Sequence, residues 1–252
     1  MIGWHPKEGE GSISQWQSQP INLPPHDKLP PGPWEEALAP TDPRIHTGVL
    51  ARRLPDGREL RGRIVETEAY LGGDDTASHS RGGRQTARNA AMFMKPGTLY
   101  VYQIYGLYFC MNISSQGEGA AVLLRSLEPL QGLEVMRQLR QSQRKGPARP
   151  PKDWQLCNGP AKLCQALAID KSFDQEDLAS APAMWLEPGL EGPPAAGDAL
   201  VCSTRVGISG DWAHEPLRFY LRGNKCVSLV DKEAEQALLG QEGPGGGGVG
   251  AS

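Results

Sequence analysis

Tyrosines are concentrated in one short segment, residues 100–108, where four of them occur within nine residues. Tyr70 precedes this segment, and Tyr220 is the only one of the six tyrosines that lies far from it. A tyrosine ring offers a flat face that stacks on any nucleobase and a hydroxyl that can contact a base edge. The segment therefore predicts a surface that binds nucleobases.

Two carboxylates accompany these aromatic residues. Glu66 and Glu68 lie in the predicted strand 59–71, which also contains Tyr70. Because side chains alternate between the faces of a strand, we expect Ile64 and both glutamates on the face of Tyr70, with the core on the other face. A carboxylate beside an aromatic ring is partly desolvated, which makes it a better base. Glu68 is thus the candidate general base, and the alternative is that both glutamates are ordinary solvent-facing residues.

A basic segment without acids, residues 79–88, separates the glutamates from the tyrosines. Arg81 and Arg84 are candidates for bidentate contacts with phosphates, and Gly82-Gly83 lets the backbone approach a ligand closely. His79 can stack on a base or form a hydrogen bond with it, although a single histidine is more often structural. The segment therefore adds predicted phosphate-binding groups to the aromatic surface.

The charge distribution also favours a polyanionic partner. The chain of 252 residues has a net charge of −3, but residues 79–163 contain twelve Lys and Arg against four acids, a net charge of +8 that leaves −11 for the remainder. Such asymmetry is typical of a phosphate-binding surface, and the alternative is a solvated charged surface. Arg125, which ends an apolar strand, and Lys162, near the start of a helix, are further DNA-binding candidates.

A predicted hairpin formed by strands 99–104 and 107–113 has Tyr105 and Gly106 at its turn. A large aromatic residue at a turn is poorly placed for a core and well placed to insert into a base stack. Asn112, on the returning strand, can touch a base edge. The alternative is a sheet that contains tyrosines because of their strand propensity, and this alternative suits Tyr100 and Tyr108 best.

The overall pattern predicts one compact α+β domain, residues 47–234, with a curved, mostly antiparallel sheet and flanking helices. Residues 1–46 are predicted to be disordered or unrelated to the domain, since nine of the 22 prolines lie there, and the Gly-rich tail 235–252 is predicted to be disordered. Further predicted strands are 48–54, 120–127, 201–207, 217–221 and 227–230. Predicted helices cover 130–145 and 173–178, and another begins at Asn158.

Several classes of protein are not expected. The five cysteines are scattered, without CxxC pairs or zinc-ligand spacing, so we expect neither a metal nor another cofactor. No apolar run reaches the roughly 18 residues that cross a membrane, and the N-terminus lacks the pattern of a secretory signal. P-loop, zinc-protease and dinucleotide-binding motifs are also absent from the sequence.

Six motifs in order closely resemble the vertebrate alkyladenine (3-methyladenine) DNA glycosylase family. The resemblance runs from about Val49 to Val230, while the residues before Val49 depart from the family pattern. The motifs are 62–70, 79–84, 92–102, 104–106, 110–114 and 158–163. The resemblance implies an enzyme that flips damaged purines out of duplex DNA and hydrolyses the N-glycosidic bond. The implied substrates are 3-methyladenine, 7-methylguanine, hypoxanthine and ethenoadenine.

The same resemblance implies a role for each matching residue. It implies that Glu68 is the general base that activates water, and that Asn112 excludes normal guanine by a clash with its exocyclic amine. It implies a stacking pocket formed by Tyr70, His79 and Tyr102. It also implies that Tyr105 is the intercalating wedge and that Arg125 helps to hold the DNA. It also implies a nuclear, monomeric protein whose partner is double-stranded DNA, with repair proteins as candidate partners of the disordered ends.

Two other hypotheses stay open at this point. One is a non-catalytic nucleic-acid-binding module that uses the tyrosines as a stacking platform. The other is a small-molecule hydrolase with Glu68 as its base and no role in nucleic-acid binding. The net charge of +8 in residues 79–163 disfavours the hydrolase, and a carboxylate beside Tyr70 is superfluous in the binding module.

Overall fold

The structure, a computed structural model, describes residues 48–143, 146, 149–188 and 199–241. Its described residues form one eight-stranded sheet with three α-helices, which confirms the predicted α+β class. The strands are β1 Val49–Arg53, β2 Glu59–Tyr70, β3 Leu99–Ile104, β4 Tyr108–Ser114, β5 Ala121–Gln131, β6 Met184–Glu187, β7 Leu200–Ser203 and β8 Arg218–Leu221. The helices are α1 Leu133–Ser142, α2 Pro160–Ala166 and α3 Lys232–Gln241.

The long strand β2 lies at the centre of the sheet. Along one edge it pairs with β5 from Arg61 to Tyr70, and along the other it pairs first with β1 and then with β8. The sheet order is β3-β4-β5-β2-β1-β6, with β7 beyond β8, and the strand pairs are antiparallel. Because β2 has strands on both edges and buried residues on both faces, the polar side chains of Glu66, Thr67 and Glu68 lie inside the molecule.

Two bulges interrupt the pairing of β2 with β5 on either side of Glu66. Ile64 pairs with Leu127 and Glu66 with Ser126, so Val65 has no partner across the ladder. The next pair is Thr67 with Leu124, which leaves Arg125 as the extra residue on the opposite strand. A bulge bends its strand and changes the direction of a side chain. The two bulges therefore decide where the side chains around Glu66 point.

The main hydrophobic core lies on the face of the sheet that carries α1 and α2. Strand alternation separates this core from the opposite face: Leu99 and Val101 lie in it, whereas Tyr100 and Tyr102 belong to a different apolar cluster. Ile64 also lies in the main core. The prediction that Ile64 shares a face with Glu66 and Glu68 was therefore wrong, because the bulge after Ile64 changes the alternation.

Other local predictions were wrong for reasons of tertiary contact. Residues 227–230 form no strand: the Ser228 amide donates to the Glu66 carboxylate instead of to a neighbouring strand. Residues 173–178 form no helix beyond a short 3-10 turn, because amides in this segment donate to the carbonyls of Leu99 and Gly97. β5 continues to Gln131, so α1 begins later than predicted.

The helix α3 includes residues 235–241, which the sequence analysis assigned to a disordered tail. The predicted disorder of residues 1–46, the acidic loop around 189–198 and the end of the tail lie outside the described residues. No helix in the described part of the chain has the length and apolar character to cross a membrane.

Candidate active site

Glu68 is fully buried, with a relative exposure of 0%, and three donors from separate parts of the chain surround its carboxylate. The Arg125 guanidinium donates from Nη1 to Oε1 at 3.0 Å, and the Val206 amide donates to the same oxygen at 2.6 Å. The Tyr70 hydroxyl donates to Oε2 at 3.0 Å. The alternative of a solvent-facing strand residue is therefore wrong for Glu68. Its burial beside Tyr70 matches the arrangement expected from strand alternation.

A cavity of about 150 Å³ is lined by Tyr70, whose hydroxyl donates to this carboxylate. The predicted residues Tyr70, His79, Tyr102 and Asn112 all line it, together with Ala77, Met92, Tyr100 and Ile208. The structure thus brings four residues from three different segments of the sequence around one space. Its walls are mainly aromatic and apolar, which suits a flat ring compound.

The aromatic side chains of the cavity hold one another in fixed orientations. The ring centroids of Tyr100 and Tyr102 are 5.1 Å apart in a stacked arrangement, and the His79 ring meets Tyr102 edge-on at 4.7 Å. His79 Nδ1 forms a hydrogen bond of 2.8 Å with the Tyr100 hydroxyl. The strand-propensity alternative suited Tyr100 in the sequence, yet Tyr100 lines the cavity and also supports His79 and Tyr102 through these contacts.

Guanidinium groups lie over two of these tyrosines. The Arg88 guanidinium carbon is 5.3 Å from the Tyr102 ring centroid, and that of Arg205 is 4.7 Å from the Tyr70 ring centroid. Arg205 also forms an ion pair with Asp75, in which both side chains have 0% exposure. A cation over an aromatic face is attracted to it, so each arginine helps to fix its tyrosine.

The protonation states of the cavity walls follow from burial. Burial, followed by the nearby Glu68 carboxylate, raises the pKa of Tyr70 well above its ordinary value. Burial also raises the pKa of Tyr100 to about 12. Burial and then the Arg88 charge lower the pKa of His79. At neutral pH the walls therefore present neutral hydroxyls and a neutral imidazole, and Glu68 is the acidic group beside them.

Asn112 faces the cavity because of its register in the hairpin. It pairs with Tyr100 across β3 and β4, and its neighbour Met111 points to the opposite face, into the main core. The Asn112 amide nitrogen donates to the Tyr100 carbonyl at 3.1 Å. This bond fixes the amide at the cavity wall, where it can meet the edge of a bound ring.

The turn of the same hairpin carries the most exposed apolar residues of the site. Tyr105 is 89% exposed and Leu107 is 72% exposed. Tyr105 has φ 51°, a left-handed conformation that is strained for a bulky residue and easy only for a glycine such as the adjacent Gly106. The hairpin therefore holds a large aromatic ring out in solvent, as the sequence predicts for a wedge.

The predicted phosphate-binding residues occupy two kinds of environment. Arg81, Arg84 and Lys162 lie on the surface. The Lys162 ammonium donates to the Asn158 side chain at 2.9 Å, which ties it to the start of α2. Arg125 differs, because it is 7% exposed and its guanidinium holds both Glu66 and Glu68. The predicted phosphate contact of Arg125 does not fit this buried position.

Sequence reasoning missed several residues that complete the site. Val206 supplies its backbone amide, which no side-chain pattern can reveal, from 138 positions further along the chain. Glu66 received no role of its own, yet it shares Arg125 with Glu68 and accepts from four further donor groups. Met92 lies within a motif that carried the family resemblance, and this motif was the available signal for it. Among the described residues, no cluster of His, Cys, Asp or Glu has the arrangement of a metal site.

Comparison with known proteins agrees with this architecture. A model of the methylpurine-DNA glycosylase (MPG) family matches residues 44–225. The chain belongs to this family. The residues matched by the family model include every predicted site residue. The match begins at residue 44, three residues before the predicted start of the domain at residue 47. The resemblance stated from the six motifs is thereby confirmed.

Relatives from distant organisms support the membership. The chain is 68% identical over 191 residues to the DNA-3-methyladenine glycosylase of Homo sapiens, an alignment that covers 75% of this chain and 63% of that protein. The Mus musculus protein of the same name is 66% identical over 192 residues, with 75% and 57% covered. A probable DNA-3-methyladenine glycosylase of Encephalitozoon cuniculi is 48% identical over 190 residues, with 74% and 86% covered. The chain therefore spans about three fifths of the length of its mammalian glycosylase relatives.

Proposed function

We propose that this protein is a monofunctional DNA glycosylase that initiates base excision repair. Its substrates in this proposal are duplex DNAs that contain 3-methyladenine, 7-methylguanine, hypoxanthine or ethenoadenine. One observation carries the proposal: Tyr70 lines an aromatic cavity and donates a hydrogen bond to the buried Glu68 carboxylate. A base-binding wall and a general base are therefore directly connected.

The cavity walls support binding of a purine that has been rotated out of the duplex. The rings of Tyr70, Tyr102 and His79 can stack on or cover a flat base, as in other enzymes that act on flipped bases. Asn112 would meet the edge of the purine and would clash with the exocyclic amine of guanine. The exposed ring of Tyr105 would fill the space left in the base stack, which offsets part of the lost stacking energy.

Glu68 would activate the attacking water. It would take a proton from the water whose oxygen forms a bond with the anomeric carbon, while the bond from that carbon to the purine nitrogen breaks. The bonding electrons leave with the base, and the products are a free purine and an abasic site. An alkylated cationic base departs as a neutral molecule. A neutral purine such as hypoxanthine also gains a proton, which balances the proton released by water.

The same arrangement disfavours the other two hypotheses. A non-catalytic binding module gives no reason for a carboxylate buried against three donors at the edge of its stacking surface. A small-molecule hydrolase gives no reason for an exposed tyrosine at a hairpin turn or for the surface arginines Arg81 and Arg84. The described residues that line the cavity include no lysine, which supports hydrolysis over a Schiff-base mechanism with strand cleavage.

The proposal includes the cellular setting implied by such a substrate. We place the protein in the nucleus, as a monomer on double-stranded DNA, with repair proteins as candidate partners of its terminal segments. The test of the activity is release of hypoxanthine from a duplex that contains one deoxyinosine, with the undamaged duplex and free inosine as parallel substrates. Release from the damaged duplex alone supports the glycosylase. Binding without release supports the module, and cleavage of inosine supports the hydrolase.

A further inference from the structure

Glu66 is the second fully buried carboxylate of the central strand, and it is more densely hydrogen-bonded than Glu68. Its Oε1 accepts from Arg125 Nε at 3.2 Å, from Arg218 Nη1 at 3.0 Å and from the Ser228 hydroxyl at 2.9 Å. Its Oε2 accepts from the Ser126 hydroxyl at 2.9 Å and from the Ser228 amide at 2.6 Å. These donors come from β5, β8 and the segment after β8, so Glu66 joins three parts of the fold.

The Arg125 guanidinium connects this carboxylate with the candidate general base. Its Nε donates to Glu66 and its Nη1 donates to Glu68, while its Nη2 donates to the Ser228 hydroxyl at 3.2 Å. Since a guanidinium is planar and rigid, contacts at three of its nitrogens fix both its position and its rotation. The position of Arg125 against Glu68 thus depends on Glu66.

Charge balance gives Glu66 a second influence on Glu68. The buried group contains two carboxylates, Glu66 and Glu68, and two guanidinium groups, Arg125 and Arg218, so its net charge is zero. Without the charge of Glu66 the group becomes positive, and the guanidinium of Arg125 is neutralised by Glu68 alone. A carboxylate that faces an excess of positive charge is a weaker base.

We infer that Glu66 is a positioning residue for the hydrolytic step, acting through Arg125 to orient the Glu68 carboxylate and maintain its basicity. The inference rests on the proposed function of Glu68 as general base. Glu66 does not line the cavity, so its effect falls on the rate of the chemical step and not on the binding of the damaged base. The bulges lie on both sides of Glu66, where the two carboxylates meet one guanidinium.

The test compares Glu66→Gln with Glu128→Gln, the same change at a carboxylate on β5 that accepts from Asn224 outside this group. We expect Glu66→Gln to lower the single-turnover rate of hypoxanthine release by roughly 10- to 100-fold, the usual effect of losing a group that orients a catalytic residue. Affinity for the damaged duplex should stay within about twofold. Glu128→Gln should match the wild type in both quantities.

A pH profile separates this role from a purely structural one. The titratable and charged groups in contact with Glu68 are Tyr70 and Arg125, with the Cys110 thiol in electrostatic contact. Arg218, its partner across β2 and β8, has its guanidinium on Glu66. Because loss of the Glu66 charge favours the ionised form of Glu68, the acidic limb of the rate profile should move to lower pH in Glu66→Gln. Partial unfolding would reduce the rate by the same factor at each pH and would leave the limb in place.

A second variant keeps the inference testable if Glu66→Gln does not fold. Ser228→Ala removes the hydroxyl that bridges Arg125 and Glu66 while both charges remain, and it should lower the rate by less than about tenfold with unchanged DNA affinity. A wild-type rate in Glu66→Gln or, where that variant does not fold, in Ser228→Ala overturns the inference, and so does a loss confined to DNA affinity. An inactive wild type overturns the proposed function itself, so the two failures are distinguishable.

Discussion

Glu68→Gln is the most direct test of the candidate active site, because the substitution keeps the shape of the side chain and removes its basicity. The amide oxygen of glutamine can accept from Arg125 and Val206 as Oε1 does now. The amide nitrogen would replace Oε2 and donate to the Tyr70 hydroxyl, which is both a donor and an acceptor. The number of hydrogen bonds therefore stays the same in the variant, and the side chain loses only its ability to take a proton.

The expected loss of activity follows from the role of a general base. Such a group contributes about 10² to 10⁴ in rate, which corresponds to roughly 3 to 5 kcal/mol of activation free energy. Stability changes less, because Arg125 keeps its ion pair with Glu66 and is not left as an isolated buried charge. Replacing the charged acceptor of these hydrogen bonds with a neutral one destabilises the fold by about 1 to 2 kcal/mol. Removal of a negative charge near a polyanion does not weaken DNA binding.

The assay measures single-turnover release of hypoxanthine from a deoxyinosine duplex and, separately, the dissociation constant for that duplex. We expect Glu68→Gln to lower the rate at least about 100-fold with an unchanged or tighter dissociation constant. Glu128→Gln is the matched control, with wild-type values expected for both measurements. A rate within tenfold of wild type, or equal losses of rate and affinity, would refute the assignment of Glu68 as general base.

Three further perturbations test other parts of the site. Tyr105→Ser should leave the unfolding midpoint unchanged, because the ring is 89% exposed. It should lower the fraction of flipped base in an ethenoadenine fluorescence assay, and an undiminished fraction contradicts the wedge role. Asp75→Asn should destabilise the fold by about 3 to 5 kcal/mol in urea unfolding, because it leaves the buried Arg205 without its ion-pair partner. The control is Asp56→Asn at an exposed ion pair, which should have no measurable effect. The lowered pKa of His79 contributes stability that is present above its unfolded pKa of about 6.5 and is lost as the pH falls through the folded pKa. His79→Gln should therefore lose less stability than the wild type on acidification. Parallel stability profiles of the two proteins count against a neutral His79.

Local pattern was sufficient for the parts of the site that lie on one hairpin or one strand segment. Tyr100, Tyr102 and Asn112 share a face because alternation along β3 and β4 is regular, and the pairing of Tyr100 with Asn112 follows from the hairpin turn. Glu68 and Tyr70 are two positions apart on an unbulged part of β2, so their contact also follows from alternation. The exposure of Tyr105 follows from its place at the turn.

Alternation failed at Ile64, and the ion pairs of Arg125 were not foreseen, because both depend on the bulges around Glu66. A bulge is a mismatch between two strands, so neither strand's sequence shows it alone. The hydrogen bonds that the bulges allow also join residues distant in sequence. Arg125 and Glu68 are separated by 57 positions, and Ser228 and Glu66 by 162. The absence of a strand at 227–230 has the same cause, since the Ser228 amide is used by a carboxylate.

The sequence by itself determined which chemistry this protein contains, a carboxylate among stacking rings, together with its fold class and its family. Those features depend on residue type, on alternation over a few positions and on motif order, all of which are local. Only the tertiary structure showed that Arg125 faces two glutamates, and that Glu66 shares this guanidinium with Glu68. The physical reason is that burial of charged groups depends on partners from different strands, and these meet only when the sheet has formed its bulges and closed around them.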